Sequence, residues 1–184
     1  MLNALNASIR STIMIDISTA QLYLQAGKII VYPTDTVYGL GCLPSKSDSL
    51  DELLTLKKRT RQFIVLIDDW KRFKDWIDEP INPSKLGVPR TTWVFKASSK
   101  VPAKLTSSAG EVAIRKITHE PTCTLIAGLS EPLISTSANF SKQPTPNTAK
   151  DVAKLFSYPI LAGDNGSEKP STIIHYQSGE VIRY

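Results

Sequence analysis

Apolar β-branched runs and helical spacings alternate along this chain. Ile29-Ile30-Val31 is an unbroken apolar run that stops at Pro33, and Phe63 to Ile67 is a second one closed by Asp68-Asp69. Both read as buried strands. Residues 18–26 read as a short helix capped by Ser18, with Leu22 and Ala26 on one face and Gly27 ending it. Residues 47–56 read as a second helix with Leu50, Leu53 and Leu54 inward. Strands are predicted over 91–95, 112–115 and 132–136, and a helix over 123–129. Thr148, with Asp151 three residues on, opens a helix to Phe156. Strands over 160–162, 171–175 and 181–183 complete the series, the last two joined by a turn at Ser178-Gly179. Strands alternate with helices at first and then dominate. The pattern predicts an α/β (α+β) fold, a twisted sheet of mixed parallel and antiparallel strands with flanking helices. The chain has no internal repeat, low-complexity tract or long linker, and residues 1–184 read as a single domain; 141–147 and 164–170 are its most loop-like stretches.

Composition adds little until charge is placed. The 184 residues carry 22 Lys+Arg and 17 Asp+Glu, a formal net charge of +5. No run approaches the roughly 18 apolar residues of a membrane helix, and the first 17 residues hold no signal-peptide pattern. Cys42 and Cys123 stand far apart, outside any C-x-x-C pair, so no disulfide or zinc knuckle is expected, and a cytoplasmic setting fits. Residues 57–74 hold seven basic and two acidic side chains, equal to the whole net charge. Such a cluster suits a polyphosphate or a nucleic-acid backbone; a solvated helix end beside a surface loop is the plainer alternative.

Familiar phosphate motifs are missing. Gly39-Leu-Gly41 begins a dinucleotide loop, but Pro44 stands at the third glycine position, and there is no G-x-x-x-x-G-K-[ST]. His119 and His175 have no partner at metal or triad spacing. Four other stretches hold candidate chemistry. Tyr32 to Gly41 follows a buried strand and offers Thr34, Asp35 and Thr36, with Gly39 and Gly41 allowing a ligand close to the backbone; it also reads as a tight strand-to-helix turn. Lys57 and Arg59, at the end of the Leu-rich helix, suit neighbouring phosphates, although the helix dipole also favours cations there. Ser135-Thr-Ser-Ala-Asn139 is a dense set of neutral hydrogen-bonding groups of the kind that orients a polar ligand. Lys169-Pro-Ser-Thr-Ile-Ile174 places Ser171 and Thr172 ahead of a strand, as a cap would.

Taken together and in this order, the four stretches resemble the YrdC/TsaC family of threonylcarbamoyl-AMP synthases. The Y-P-T-[DE]-[TA]-V-[YF]-G-[LV]-G pattern matches Tyr32 to Gly41, and the Lys-x-Arg pair falls at Lys57 and Arg59. The V-A-[VI]-R strand matches Val112 to Arg115, S-T-S-A-N-x-S matches Ser135 to Ser141, and P-S-[TE]-I matches Pro170 to Ile173. The resemblance implies a YrdC-like sheet with a positively charged concave face, in the short form that lacks a further C-terminal domain. It implies the conversion of L-threonine, bicarbonate (or CO2) and ATP to threonylcarbamoyl-AMP and pyrophosphate, for threonylcarbamoyl-adenosine formation in tRNA. Lys57 and Arg59 would stabilise phosphate charge with no dedicated base. ATP would meet Lys57, Arg59, Ser137, Asn139, Thr145 and Arg183. Threonine would meet Thr34, Thr36, Arg115, Ser135 and Ser171. Magnesium would accompany ATP with no structural metal in the protein, and contacts with tRNA and with downstream threonylcarbamoyl-transferase proteins are implied.

Two departures stand out. The family's further Lys after Lys-x-Arg is missing from Thr60-Arg-Gln-Phe63, which is about one residue short, and Pro89-Arg90 replaces a usual Gly-Pro. A rival reading is a tRNA- or double-stranded-RNA-binding protein with weak or lost catalysis, drawing on Phe63, Trp70 and Phe73 beside the charges. A carbamoyl-adenylate activity like that of hydrogenase-maturation proteins would need zinc-finger and acylphosphatase-like domains that these 184 residues do not hold.

Overall fold

Strand β4 (Ile64–Ile67) lies mid-sheet, parallel to β6 (Glu111–Lys116) and antiparallel to β7 (Leu133–Ser137). The chain is described here from a computed structural model covering residues 13–166 and 169–183. The other strands are β1 (Met14–Ile15), β2 (Ile30–Tyr32), β3 (Gly39–Gly41), β5 (Thr91–Lys96), β8 (Ile160–Leu161), β9 (Thr172–His175) and β10 (Val181–Arg183). Among the described residues they form one sheet in the order β1-β8-β2-β3-β7-β4-β6-β5-β9-β10. Parallel and antiparallel pairs mix, as the sequence predicts.

Because strand side chains alternate between faces, this sheet sorts its residues into two layers. One face carries Val31, Leu40, Val65, Ile67, Phe95, Val112 and Ile114. It is covered by α2 (Ser47–Leu56), through Leu50, Leu53 and Leu54, and by α5 (Ala149–Leu155), through Val152. On the other face Ile30, Tyr32, Leu66 and Leu133 pack under α1 (Ile17–Gln25) and α4 (Thr122–Ala127). That second cover is partial. Farther along the same strands the side chains become polar: Ser135 and Ser137 continue the row begun by Leu133, and Arg115 stands opposite Leu66. The uncovered half of this face is where a site can form.

Several predictions are corrected. Asp16, not Ser18, caps α1, its carboxylate accepting from Thr19 N at 2.8 Å while Ser18 Oγ donates to it. With the helix starting earlier, Ala20 and Leu24 face inward; Leu22 is 66% exposed, so the predicted face points to solvent. Gly27 does end the helix, at φ +73°. Residues 39–41 do not turn into a helix. They form β3, pairing with β2 and β7. Both glycines are also needed for packing: a Cβ on Gly39 would lie 2.6 Å from the Tyr32 ring, and one on Gly41 would lie 2.2 Å from Ile134 O, while Gly39 lines the cleft described below. β1 and the short helix α3 (Trp70–Phe73) were not predicted. Thr148 caps α5 as expected, accepting from Asp151 N.

Candidate active site

A cleft of about 250 Å³ opens on the uncovered half of the sheet. Its lining brings together Thr34, Thr36, Arg115, Ser135 and Ser171 with Arg59, Ser137, Asn139, Thr145 and Arg183. Those residues span 150 positions of sequence, from Thr34 to Arg183, and belong to six separate segments. Of the contacts expected from the sequence, Lys57 alone is absent from the lining.

One wall is the turn after β2. Thr34 Oγ1 donates to Val37 O at 2.8 Å and lies 2.9 Å from Thr36 Oγ1. Arg115 reaches this turn from β6: Nη1 donates to Thr36 Oγ1 at 3.1 Å, and Nη2 donates to Asp35 Oδ1. Arg115 is 5% exposed, and its Nε–H has no hydrogen-bond partner among the described residues. Burial lowers the Arg115 pKa, with the Asp35 charge opposing that shift. A buried donor without a partner costs stability. On the same side Thr92 and Ser171 hydroxyls lie 2.8 Å apart, and Arg183 Nη2 donates to Ser171 O at 2.9 Å.

The turn is braced by a residue that sequence reading missed. Asn165 Oδ1 accepts from Thr34 N at 3.2 Å while its Nδ2 donates to Thr36 O at 2.9 Å. Gly166 N adds a bond to Thr34 O at 2.8 Å. The signal available was only that 164–170 is loop-like; nothing local ties it to a turn 129–131 residues away.

The opposite wall is the end of β7. Ser137 Oγ donates to Asn139 Oδ1 at 2.6 Å, and Asn139 Nδ2 donates to Gln143 O. Lys57, at the C-cap of α2, turns its Nζ into this wall from behind. Arg59 stays at the mouth, donating to Gln62 O at 3.4 Å with its guanidinium 5.9 Å from the Phe63 ring centre. A second hollow of about 580 Å³ continues from there, with Lys58, Arg59, Arg61 and Arg183 around Ile64, Val94, Ala113 and Ile173. The arrangement is a small, polar, partly buried cleft leading to a basic groove. It suits a small carboxylate-bearing ligand at the inner end and phosphates at the outer one.

A family model for Sua5, YciO and YrdC proteins, described as telomere recombination, matches residues 22–184. The chain belongs to the Sua5/YciO/YrdC family. A relative from Coxiella burnetii named threonylcarbamoyl-AMP synthase is 36% identical over 179 residues, covering 91% of this chain and 96% of its own. Another so named, from Thiobacillus denitrificans, is 31% identical over 88% of this chain and 91% of its own. The structure of P. abyssi Sua5 complexed with L-threonine superposes with a TM-score of 0.79 at 26% identity, over 90% of this chain and 52% of that one. E. coli YciO, at 21% identity, shares the fold with a TM-score of 0.82 over 94% of this chain and 93% of its own.

In this member of the Sua5/YciO/YrdC family, the sequence cluster of basic residues does not act as one surface. β4 separates it: Lys58, Arg59 and Arg61 flank the groove, whereas Arg72 pairs with Asp68 at 2.7 Å and reaches Ile126 O and Leu129 O beside α4. The aromatics offered to RNA belong to the core or pack against it. Phe63 and Phe73 are buried, and Trp70 packs edge-on to Phe95 with ring centres 5.7 Å apart. His119 bonds Asp164 O, and His175 bonds Glu111 at 3.1 Å and Ser178. The described residues include no group of three or more His, Cys, Asp or Glu able to hold a metal, and no helix long and apolar enough to cross a membrane. Arg90 adopts φ +53°, in the left-handed region that residues other than glycine seldom take.

Proposed function

We propose that this chain is a threonylcarbamoyl-AMP synthase, making threonylcarbamoyl-AMP and pyrophosphate from L-threonine, bicarbonate (or CO2) and ATP. The observation that carries the reading is Arg115. Its guanidinium, bonded to the Thr36 hydroxyl and to Asp35, lines a cleft shared with Thr34, Ser135 and Ser171 that opens onto Arg59 and Arg183.

Arg115 takes the threonine carboxylate, and the hydroxyls of Thr34, Thr36, Ser135 and Ser171 orient the amino acid. The threonine amine, as its neutral form, adds to CO2 and releases a proton, giving a carbamate. A carbamate oxygen then forms a bond to the α-phosphorus of ATP while the bond to the bridging oxygen of pyrophosphate breaks. Such a transfer relies on positioning and charge neutralisation, so it asks for cations rather than a base. Arg59 and Arg183 supply them at the groove, with Arg61 in the short loop where the family has a Lys, while Ser137, Asn139 and Thr145 border the nucleotide. Asp35 is engaged by Arg115, and magnesium would come with the ATP substrate. The product is a labile mixed anhydride, which calls for immediate hand-over to a transferase that acts on tRNA, in the cytoplasm.

The test is pyrophosphate release from ATP with and without L-threonine and bicarbonate. Release that requires both is expected. Release independent of threonine, or none from folded protein with magnesium present, would overturn the reading.

A further inference from the structure

We infer that Lys57 is a positioning residue rather than a phosphate contact: its enclosed ammonium holds the Ser137–Asn139 turn in the shape that forms the nucleotide wall. The inference rests on the synthase reading for what the wall binds, and on geometry alone for what the lysine does.

Lys57 Nζ lies 2.5 Å from Asn139 Oδ1, 2.8 Å from Asn139 O, 3.1 Å from Ser137 O and 3.3 Å from Ser137 Oγ. An ammonium has three hydrogens, and four acceptors already compete for them. None is left for a phosphate, and the residue is 5% exposed. The contacts are matched to the turn. They gather both carbonyls and the Asn139 side-chain oxygen onto one cation, while Asn139 Nδ2 is held by Gln143 O and Ala138 N by Tyr38 O. Two carbonyls converging in this way would repel each other without a charge between them.

No carboxylate lies within ion-pair distance of Lys57 among the described residues; the turn it holds offers only carbonyl, amide and hydroxyl groups. The charged group acting on it is Arg59, of like sign. Burial first, and Arg59 second, bring the Lys57 pKa down from 10.5 to about 8. Above that pH the amine keeps two donors and no charge, and the turn loosens. Stability moves the other way. The folded form binds fewer protons than the unfolded one between about 8 and 10.5, so this group's contribution to stability rises with pH across that window.

The experiment compares wild type, K57M and R59A. In wild-type protein free of ligand, NMR titration of the lysine side-chain nitrogens is expected to show one with a midpoint near 8, lost in K57M. Amide exchange over 137–143 is expected to speed at least tenfold in K57M and to stay unchanged in R59A. In turnover, K57M is expected to lower kcat about tenfold with ATP KM within about threefold and to lose the alkaline limb near pH 8, whereas R59A raises ATP KM and keeps the limb. A wild-type titration near 10.5, unaltered exchange in K57M, or an ATP KM that rises in K57M as it does in R59A would each overturn the inference. If K57M does not fold, the wild-type titration and pH profile decide. If wild type releases no pyrophosphate, the synthase reading fails, while titration and exchange still decide the part played by Lys57.

Discussion

The inner wall and the outer rim of the cleft are built on opposite physical terms. Thr34, Thr36, Arg115 and Ser171 are each 5% exposed or less, and nearly every polar atom they own is bonded to another part of the protein. Residues 58–61 are exposed, and within 58–62 Lys58 and Gln62 take left-handed φ of 51° and 71°. A wall whose hydroxyls and guanidinium are already held in place discriminates by geometry, because a ligand must fit groups that do not move to suit it. A rim of exposed cations on a strained, short loop instead attracts charge with little demand on shape. The two regions should therefore respond differently to the same kind of mutation.

The largest effect is expected at Arg115. Removing one partner of a buried ion pair costs about 3–5 kcal/mol, and the partial exposure of Asp35 places Arg115→Ala near about 3 kcal/mol. Threonine KM should also rise at least about tenfold, the scale of one lost charge-assisted bond, with ATP KM nearly unchanged. Thermal unfolding and initial rates check both. A larger rise in the ATP requirement than in the threonine requirement would show that this wall does not hold the amino acid.

Arg59→Ala sharpens the contrast from the rim. Its guanidinium is exposed and makes one long bond to Gln62 O, so stability should stay within about 0.5 kcal/mol. The ATP kcat/KM should fall by about 1.5–3 kcal/mol in transition-state terms. An unstable variant, or unchanged kinetics, would erase the distinction between wall and rim.

How much of this was legible in the sequence follows from how local each feature is. The hydroxyl-rich end of β7, the buried runs of β2 and β4 and the Thr148 cap depend on neighbours within a few residues, and they were read correctly. The face of α1 was misread because the cap was placed at Ser18 instead of Asp16, shifting which residues turn inward. β3 was missed because Gly-Leu-Gly has no strand signature; it pairs there because Tyr32 and Ile134 leave room for nothing larger. Lys57 and Arg59 look equivalent in sequence. The helix end separates them, turning one inward onto a strand 80 residues away and leaving the other at the mouth. Likewise the run of basic residues reads as one patch until four strand residues, about 13 Å, divide it.

Asn165 sharpens the comparison on the wall side without touching charge. Asn165→Ala strands Thr34 N–H and Thr36 C=O, for about 1–2 kcal/mol of stability. Because these bonds fix the turn that presents both threonine hydroxyls, threonine KM should rise several-fold while ATP KM holds. Equal changes in both would mean that the turn serves the whole cleft rather than its inner end.

The smallest effect is expected at Lys58, where the rim's strain can be relieved directly. α2 ends with Lys58 N bonded to Thr55 O at 3.0 Å and Arg59 N bonded to Leu54 O at 2.9 Å. That bond pair closes the helix in a Schellman motif and forces the residue between, Lys58, into the left-handed region where glycine is usual. The same motif sets Arg59 at the mouth of the cleft. Lys58→Gly keeps both bonds and removes the Cβ penalty, partly offset by the freedom glycine gains on unfolding. Stability should rise by about 0.5–1 kcal/mol, or about 1–4 °C in Tm for a domain of this size. The position of Arg59 should be unchanged, so ATP use should fall only by what one exposed charge contributes, less than the loss in Arg59→Ala. A K58G protein that is both less stable and as impaired as R59A would show that the lysine side chain, not the backbone turn, organises the rim.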